Sequence, residues 1–89
     1  MAEGIYVVGI LVQERASHGP EVQEVLTRYG SKILCRTGIP DPSKKRGIIT
    51  VTMQADEPEV SKFKDDLHHI AGVRAQSLRL ADAIYNCPA

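Results

Sequence analysis

Short apolar runs and polar stretches succeed one another along this chain in an order that repeats. Ile5-Tyr6-Val7-Val8-Gly9-Ile10-Leu11-Val12 is continuous and rich in β-branched residues, which predicts a strand. The polar stretch Gln13 to Gly19 follows as a loop. Pro20 suits a first helical position, Glu21 and Glu24 favour the positive end of the helix dipole, and Val22, Val25, Leu26 and Tyr29 recur at helical spacing before Gly30. Ile33 to Thr37 predicts a second strand, Ile39 to Gly47 a Pro-, Lys- and Gly-bearing connection, and Ile48 to Met53 a third strand that closes a hairpin. Asp56 offers an N-cap and Pro58 an early helical position, with Val60, Phe63, Leu67 and Ile70 forming an apolar stripe that stops at Gly72. Val73 to Leu80 is a fourth strand, interrupted by Arg74, Gln76, Ser77 and Arg79 as an edge strand would be.

Strand, Pro-started helix, Gly and strand thus occur twice, with Pro20 and Gly30 matched by Pro58 and Gly72. Right-handed crossovers in both halves place two helices on one face of a four-stranded antiparallel sheet. The expected fold is α+β, a ferredoxin-like βαββαβ domain over residues 5–80, with strands one and three central and residues 81–89 as a tail. An open sheet covered on one side should alternate apolar and polar along a central strand. The first strand does not: Ile5, Val7 and Leu11 point one way, and Tyr6, Val8, Ile10 and Val12 the other. One of these sets faces away from the helices, where Ile48 or Ile49 and Ile33 or Leu34 would extend the patch. An exposed patch of that kind predicts a homo-oligomer, dimer or tetramer, meeting through the uncovered face, an edge strand, or both.

Composition narrows the function. Eighty-nine residues accommodate one compact domain, and 11 basic against 11 acidic residues leave no net charge to drive direct nucleic-acid binding. Four aromatic residues, three Tyr and one Phe, offer few stacking platforms for bases. The start has no basic leader, and the longest apolar run is too short to span a membrane, so a cytoplasmic location is expected. Cys35 and Cys87 lack the spacing of a disulfide scaffold or zinc site and read as free thiols, Cys35 as a small buried core residue.

Two short segments invite a ligand. Arg15, Ser17, His18 and Gly19 precede the predicted helix start, where free N–H groups favour anions; alternatively Ser17 or Gly19 caps the helix while Arg15 and His18 sit in solvent. In Arg36-Thr37-Gly38, Gly38 either permits close approach of a ligand or partner, or only lets the chain leave the strand before Pro40. His68 and His69, adjacent on a helix and about 100° apart around its axis, do not converge on one ion and instead complement the negative helix end. No metal site and no cofactor are expected. Lys44-Lys45-Arg46 reads as a solvated hairpin tip. An acylphosphatase-like enzyme of this fold would need a Gly-rich phosphate cradle and an Asn after the first strand, a metallochaperone a Cys-x-x-Cys, and neither is present.

Together, Val7 to Val12 with Arg15, Tyr29-Gly30, Arg36-Thr37-Gly38-Ile39-Pro40, Arg46-Gly47 and Gly72-Val73 resemble the iron-only hydrogenase system regulators, over roughly Ile5 to Leu80. Cys35 and Thr37 depart from that family's Gly-Arg-Met-Gly pattern. The resemblance implies a ferredoxin-like domain similar to ACT domains and to the C-terminal domain of nickel-responsive regulators. It also implies an oligomeric sensing role, with a small-molecule effector bound near the loop after the first strand. Only four residues precede that strand, too few for a DNA-reading helix, so action on DNA would need a partner protein. A small cytoplasmic regulator that works by assembly and by binding a small effector or a protein partner is therefore expected, not an enzyme. The alternatives are a small ferredoxin-fold enzyme using Arg15, His18 or Arg36, and a purely structural interaction module.

Overall fold

The computed structural model describes residues 3–13, 15–40 and 46–82, with the backbone alone at 15–18, 40 and 82. The elements run β1 (Gly4–Val12), α1 (Arg15–Arg28), a 3-10 turn (Gly30–Lys32), β2 (Ile33–Pro40), β3 (Gly47–Ala55), α2 (Glu57–His68) and β4 (Val73–Asp82). The sheet order is β2-β3-β1-β4, and all three pairings are antiparallel. This is the predicted ferredoxin-like arrangement, central and edge strands included.

β1 sorts its side chains by parity. Val8, Ile10 and Val12 are at most 2% exposed, packed with Val51 and Met53 of β3, Leu26 of α1, and Phe63 and Leu67 of α2. Val8 stands opposite Val51 and Ser77, and Ile10 opposite Ile49 and Ala75, so these rows of the sheet share the helix side. Val7, Gly9 and Leu11 stand in the other rows, beside Thr52 and Leu78, Thr50 and Gln76, and Ile48 and Arg74. Among the described residues, that face carries no helix.

Local chemistry fixes α2. The Asp56 carboxylate accepts from the Glu59 N–H at 2.9 Å and the Glu59 side chain accepts from the Asp56 N–H at 3.1 Å, a reciprocal capping box that satisfies two orphan donors. Beyond the helix, Gly72 takes φ 77°, a conformation any side chain would strain, and turns the chain into β4.

Three boundaries differ from expectation. α1 begins at Arg15, and Pro20 lies inside it. The exit of β1 is pinned because the Gln13 N–H donates to the Gly72 carbonyl at 2.8 Å, and the helix starts two residues later. Pro20 then removes one N–H bond near the helix start without ending the helix. β2 continues through Gly38 and Ile39 to Pro40, which stands opposite Gly47 at the end of an edge strand, a place where a missing N–H is tolerated. β4 takes in Ala81 and Asp82, which the sequence assigned to the tail. Asn86 to Ala89 and Lys44-Lys45 lie outside the described residues.

Candidate functional site

β2 places Arg36 and Gly38 opposite Val51 and Ile49, on the helix side, but Thr37 opposite Thr50, on the helix-free side. Arg36-Thr37-Gly38 is therefore not one site: strict alternation along a strand separates its members. Arg36 lines a hollow with Leu26, Thr27 and Cys35 at the β2 edge. Gly38 instead meets Gly19, from the other candidate segment. The two line a cavity of about 350 Å³ between α1 and the β2–β3 end of the sheet, with Val12, Val22, Gln23, Ile39, Ile48 and Ile49. A Cβ at either glycine would meet nothing within 4 Å, so the missing side chains leave open space there.

Arg15, Ser17, His18 and Gly19 are all helical, where the sequence predicted a loop. The helix starts at Arg15, so the N–H groups of Arg15, Ala16 and Ser17 fall in its first turn. The side chains of Arg15, Ser17 and His18 lie outside the described residues. Among the described residues lining the cavity, Gln23 is the one polar side chain and none is an acid, base or thiol.

The helix-free face is the second feature. Ile39 and Leu78 are each 57% exposed and Ile48 is 43% exposed, with Leu11 half-buried between Ile48 and Arg74. Gly9 sits amid them as a gap, bordering a shallow hollow with Leu11, Ile48, Arg74 and Gln76. Ile49 and Ile33, by contrast, pack against the core. Between Ile33 and Cys35 the register shifts, and that irregularity turns Ile33 to the helix side and Cys35 to the other. Cys35 is exposed, not a core residue as expected. Ile39 and Leu78 were missed from sequence. Period-two alternation from Cys35 through Thr37 to Ile39 was the available signal for the first, masked by Pro40.

Several polar and charged groups hold the scaffold. Tyr29 packs edge-on against Phe63 with ring centroids 4.9 Å apart, and its hydroxyl donates to Asp66 Oδ2 at 2.5 Å. Burial, then that bond, pushes the Tyr29 pKa up to about 12. Lys32 bridges Glu3 at 3.1 Å and Glu59 at 3.5 Å, tying the start of β1 to α2. Hydrogen bonds from Gln54 and Lys32 hold the Glu3 carboxyl below its ordinary range, and the bond to Glu3 raises Lys32. The histidines separate in role. His69 Nδ1 lies 2.8 Å from the Asp65 carbonyl oxygen, at the helix end as expected. His68 reaches across to β4, where its Nε2 accepts from the Ala75 N–H at 3.0 Å and covers an amide of that edge strand. Among the described residues, no group of three or more His, Cys, Asp or Glu side chains could hold a metal ion. No helix among them is long and apolar enough to cross a membrane.

Four antiparallel strands in this order beneath two helices define a ferredoxin-like α+β domain. More particularly, the chain belongs to the TM1266-like family, described as "Iron-only hydrogenase system regulator, putative", whose model matches residues 4–77. This is the family its residues resemble. The uncharacterized protein TM1266 of Thermotoga maritima superposes with a TM-score of 0.82 at 27% identity, covering 88% of this chain and 98% of that one. An unknown protein from Galdieria sulphuraria matches at TM-score 0.66 and 10% identity over 91% of this chain and 47% of its own. A formyltetrahydrofolate deformylase from Pseudomonas putida matches at 0.59 and 11% over 83% of this chain and 28% of its own. The last two are likenesses of fold alone. No curated protein matches the chain.

Proposed function

We propose that this chain is a regulatory module of the iron-only hydrogenase system that works by assembling with copies of itself and by binding a small effector, without chemistry on a substrate. Copies meet across the helix-free sheet face, and the effector occupies the cavity bordered by Gly19 and Gly38. Any influence on gene expression passes through a partner protein. The carrying observation is the apolar helix-free face of Leu11, Ile39, Ile48 and Leu78. Burying a Leu or Ile side chain is worth about 1.5–3 kcal/mol, and a two-fold axis counts every such residue twice. The cavity supports the effector half of the proposal, because its lining suits binding and holds no titratable side chain among the described residues.

Light scattering after size exclusion, at about 100 μM protein, tests the assembly: the wild type elutes with the mass of at least two chains, and Ile48→Asp with the mass of one. A single-chain mass for the wild type overturns it. For the effector, a thermal-shift screen of small metabolites on the wild type and on Gly38→Leu, which fills the cavity, should yield a compound that stabilises only the former. Equal stabilisation of both proteins, or no stabilising compound, removes the cavity from the proposal.

A further inference from the structure

β4 ends the sheet on one side, and the backbone groups of such a strand point alternately at its neighbour and away from the sheet. The bond from the Gln13 N–H to the Gly72 carbonyl fixes the phase: Gly72, Arg74 and Gln76 turn their backbone groups toward β1, and Val73, Ala75 and Ser77 turn theirs away. The first two of these outward amides are taken. The Val73 N–H donates to the Ile70 carbonyl at 3.2 Å, and the Ala75 N–H donates to His68 Nε2 at 3.0 Å. The acceptors differ in kind. A carbonyl accepts at any pH, an imidazole nitrogen only while it carries no proton.

Accepting at Nε2 places the ring proton of His68 on Nδ1 and requires a neutral ring. In the imidazolium both nitrogens are donors, so Nε2–H would confront the Ala75 N–H and the contact would turn from attraction to repulsion. Ala75 is 6% exposed, whereas the His68 ring is exposed and open to solvent protons. On α2, Lys64 and Asp65 lie four and three residues before His68 and His69 directly after it, and Asp65 and His69 border one surface hollow with it. On β4, Val73, Ala75 and Ser77 share the helix side and carry no charge, Arg74 lies on the other face, and Arg79 stands two residues beyond Ser77, opposite Tyr6. β1 contributes only Val8, Ile10 and Val12 beneath the helices, and Arg28 and Tyr29 of α1 meet α2 at Asp66. Asp65 attracts a charged ring; Lys64 and Arg79 repel it.

We propose that His68 is a pH-sensitive latch on the outer edge of β4: neutral, it holds the Ala75 amide and ties the end of α2 to the strand; protonated, it lets go. The bond exists only in the neutral form, so the latch is shut on the alkaline side and opens as the pH falls. Imidazole is the side chain whose charge ordinarily changes between pH 5 and 8. An edge amide held in this way is closed to pairing with a further strand, and a released one is not. The latch lies apart from the Gly19 and Gly38 cavity and from the helix-free face, so it stands or falls without them.

Nitrogen spectra of the ¹⁵N-labelled full chain, from about pH 8 to about pH 5, test it across that range. At the alkaline end His68 should show the Nδ1–H tautomer and a coupling across the hydrogen bond from its Nε2 to the Ala75 amide nitrogen. As the His68 ring takes up its proton the coupling should vanish, and the protection of the Ala75 N–H against solvent exchange, taken relative to its intrinsic rate, should fall about tenfold. Val73, held by a carbonyl, should keep its protection and serves as the internal control. His68→Gln offers an acceptor oxygen at every pH and should hold Ala75 protected throughout, while His68→Ala should leave it unprotected throughout. An Nε2–H tautomer at the alkaline end, a loss of protection that follows the His69 ring instead, or the same acid-induced loss in His68→Gln overturns the proposal. The amide spectrum of each variant reports that it is folded.

Discussion

Neighbouring residues of β1 live in two different environments. Val8, Ile10 and Val12 are sealed beneath α1 and α2, whereas Val7, Gly9 and Leu11 lie between Thr52, Thr50 and Ile48 on one side and Leu78, Gln76 and Arg74 on the other, with no helix above them. The strand is as apolar on one side as on the other, and among the described residues only one side is covered by helices. Ile5 belongs to the uncovered rows, yet it is buried without joining the core cluster. What differs between the faces is the second layer. The sealed face makes the fold; the other keeps Ile48 and Leu78 exposed.

The largest effect expected from breaking this contrast is on the sealed side. Phe63→Ala, at a fully buried position, should cost about 3–5 kcal/mol in urea unfolding followed by circular dichroism. Leu78→Ala, exposed on the other face, should cost under about 1 kcal/mol at a dilution where the protein is monomeric, because little buried area is lost. A large loss at Leu78 in the monomer would mean that the two faces are not distinct. Asp56→Ala, which opens the capping box of the covering helix α2, should cost about 1 kcal/mol by the same assay.

Tyr29→Phe tests how the helical layer is tied together and should cost about 1 kcal/mol at neutral pH. Because the folded-state pKa of Tyr29 lies above its ordinary value of 10.0, its contribution is complete below pH 10 and fades as the pH climbs toward 12. Urea midpoints of the two proteins should therefore converge across that window. The smallest effect is at the end of β1. The Glu3 carboxyl is held below 4.5, so its contribution is present above that pH and disappears on acidification, and Glu3→Gln should flatten the acid limb of the stability profile slightly.

Much of the sealed side was legible in the chain itself. Val60, Phe63 and Leu67 at helical spacing, Asp56 as a cap and Gly72 as a stop need only local chemistry, and α2 formed accordingly. The doubly apolar first strand also announced its uncovered face. The first half of the molecule was harder because tertiary contacts overrode local signals. Pro20 marks a helix start in isolation, but the helix begins at Arg15, two residues after the bond from Gln13 to Gly72. The irregularity between Ile33 and Cys35 reassigns Ile33 and Cys35 to opposite faces, a one-residue event no periodicity shows. That Gly19 and Gly38 line one cavity depends on how α1 lies across the sheet. Those residues were visible in the sequence, but their partners were not.

Solvent contact at the methyl groups is the most direct test of whether a second copy covers the helix-free face. With a soluble gadolinium chelate added at high protein concentration, the methyls of Leu11, Ile48 and Leu78 should relax almost as slowly as those of core Val8 and Ile10, and should become strongly enhanced on dilution. Strong enhancement at every concentration would show that face open to water and contradict the account.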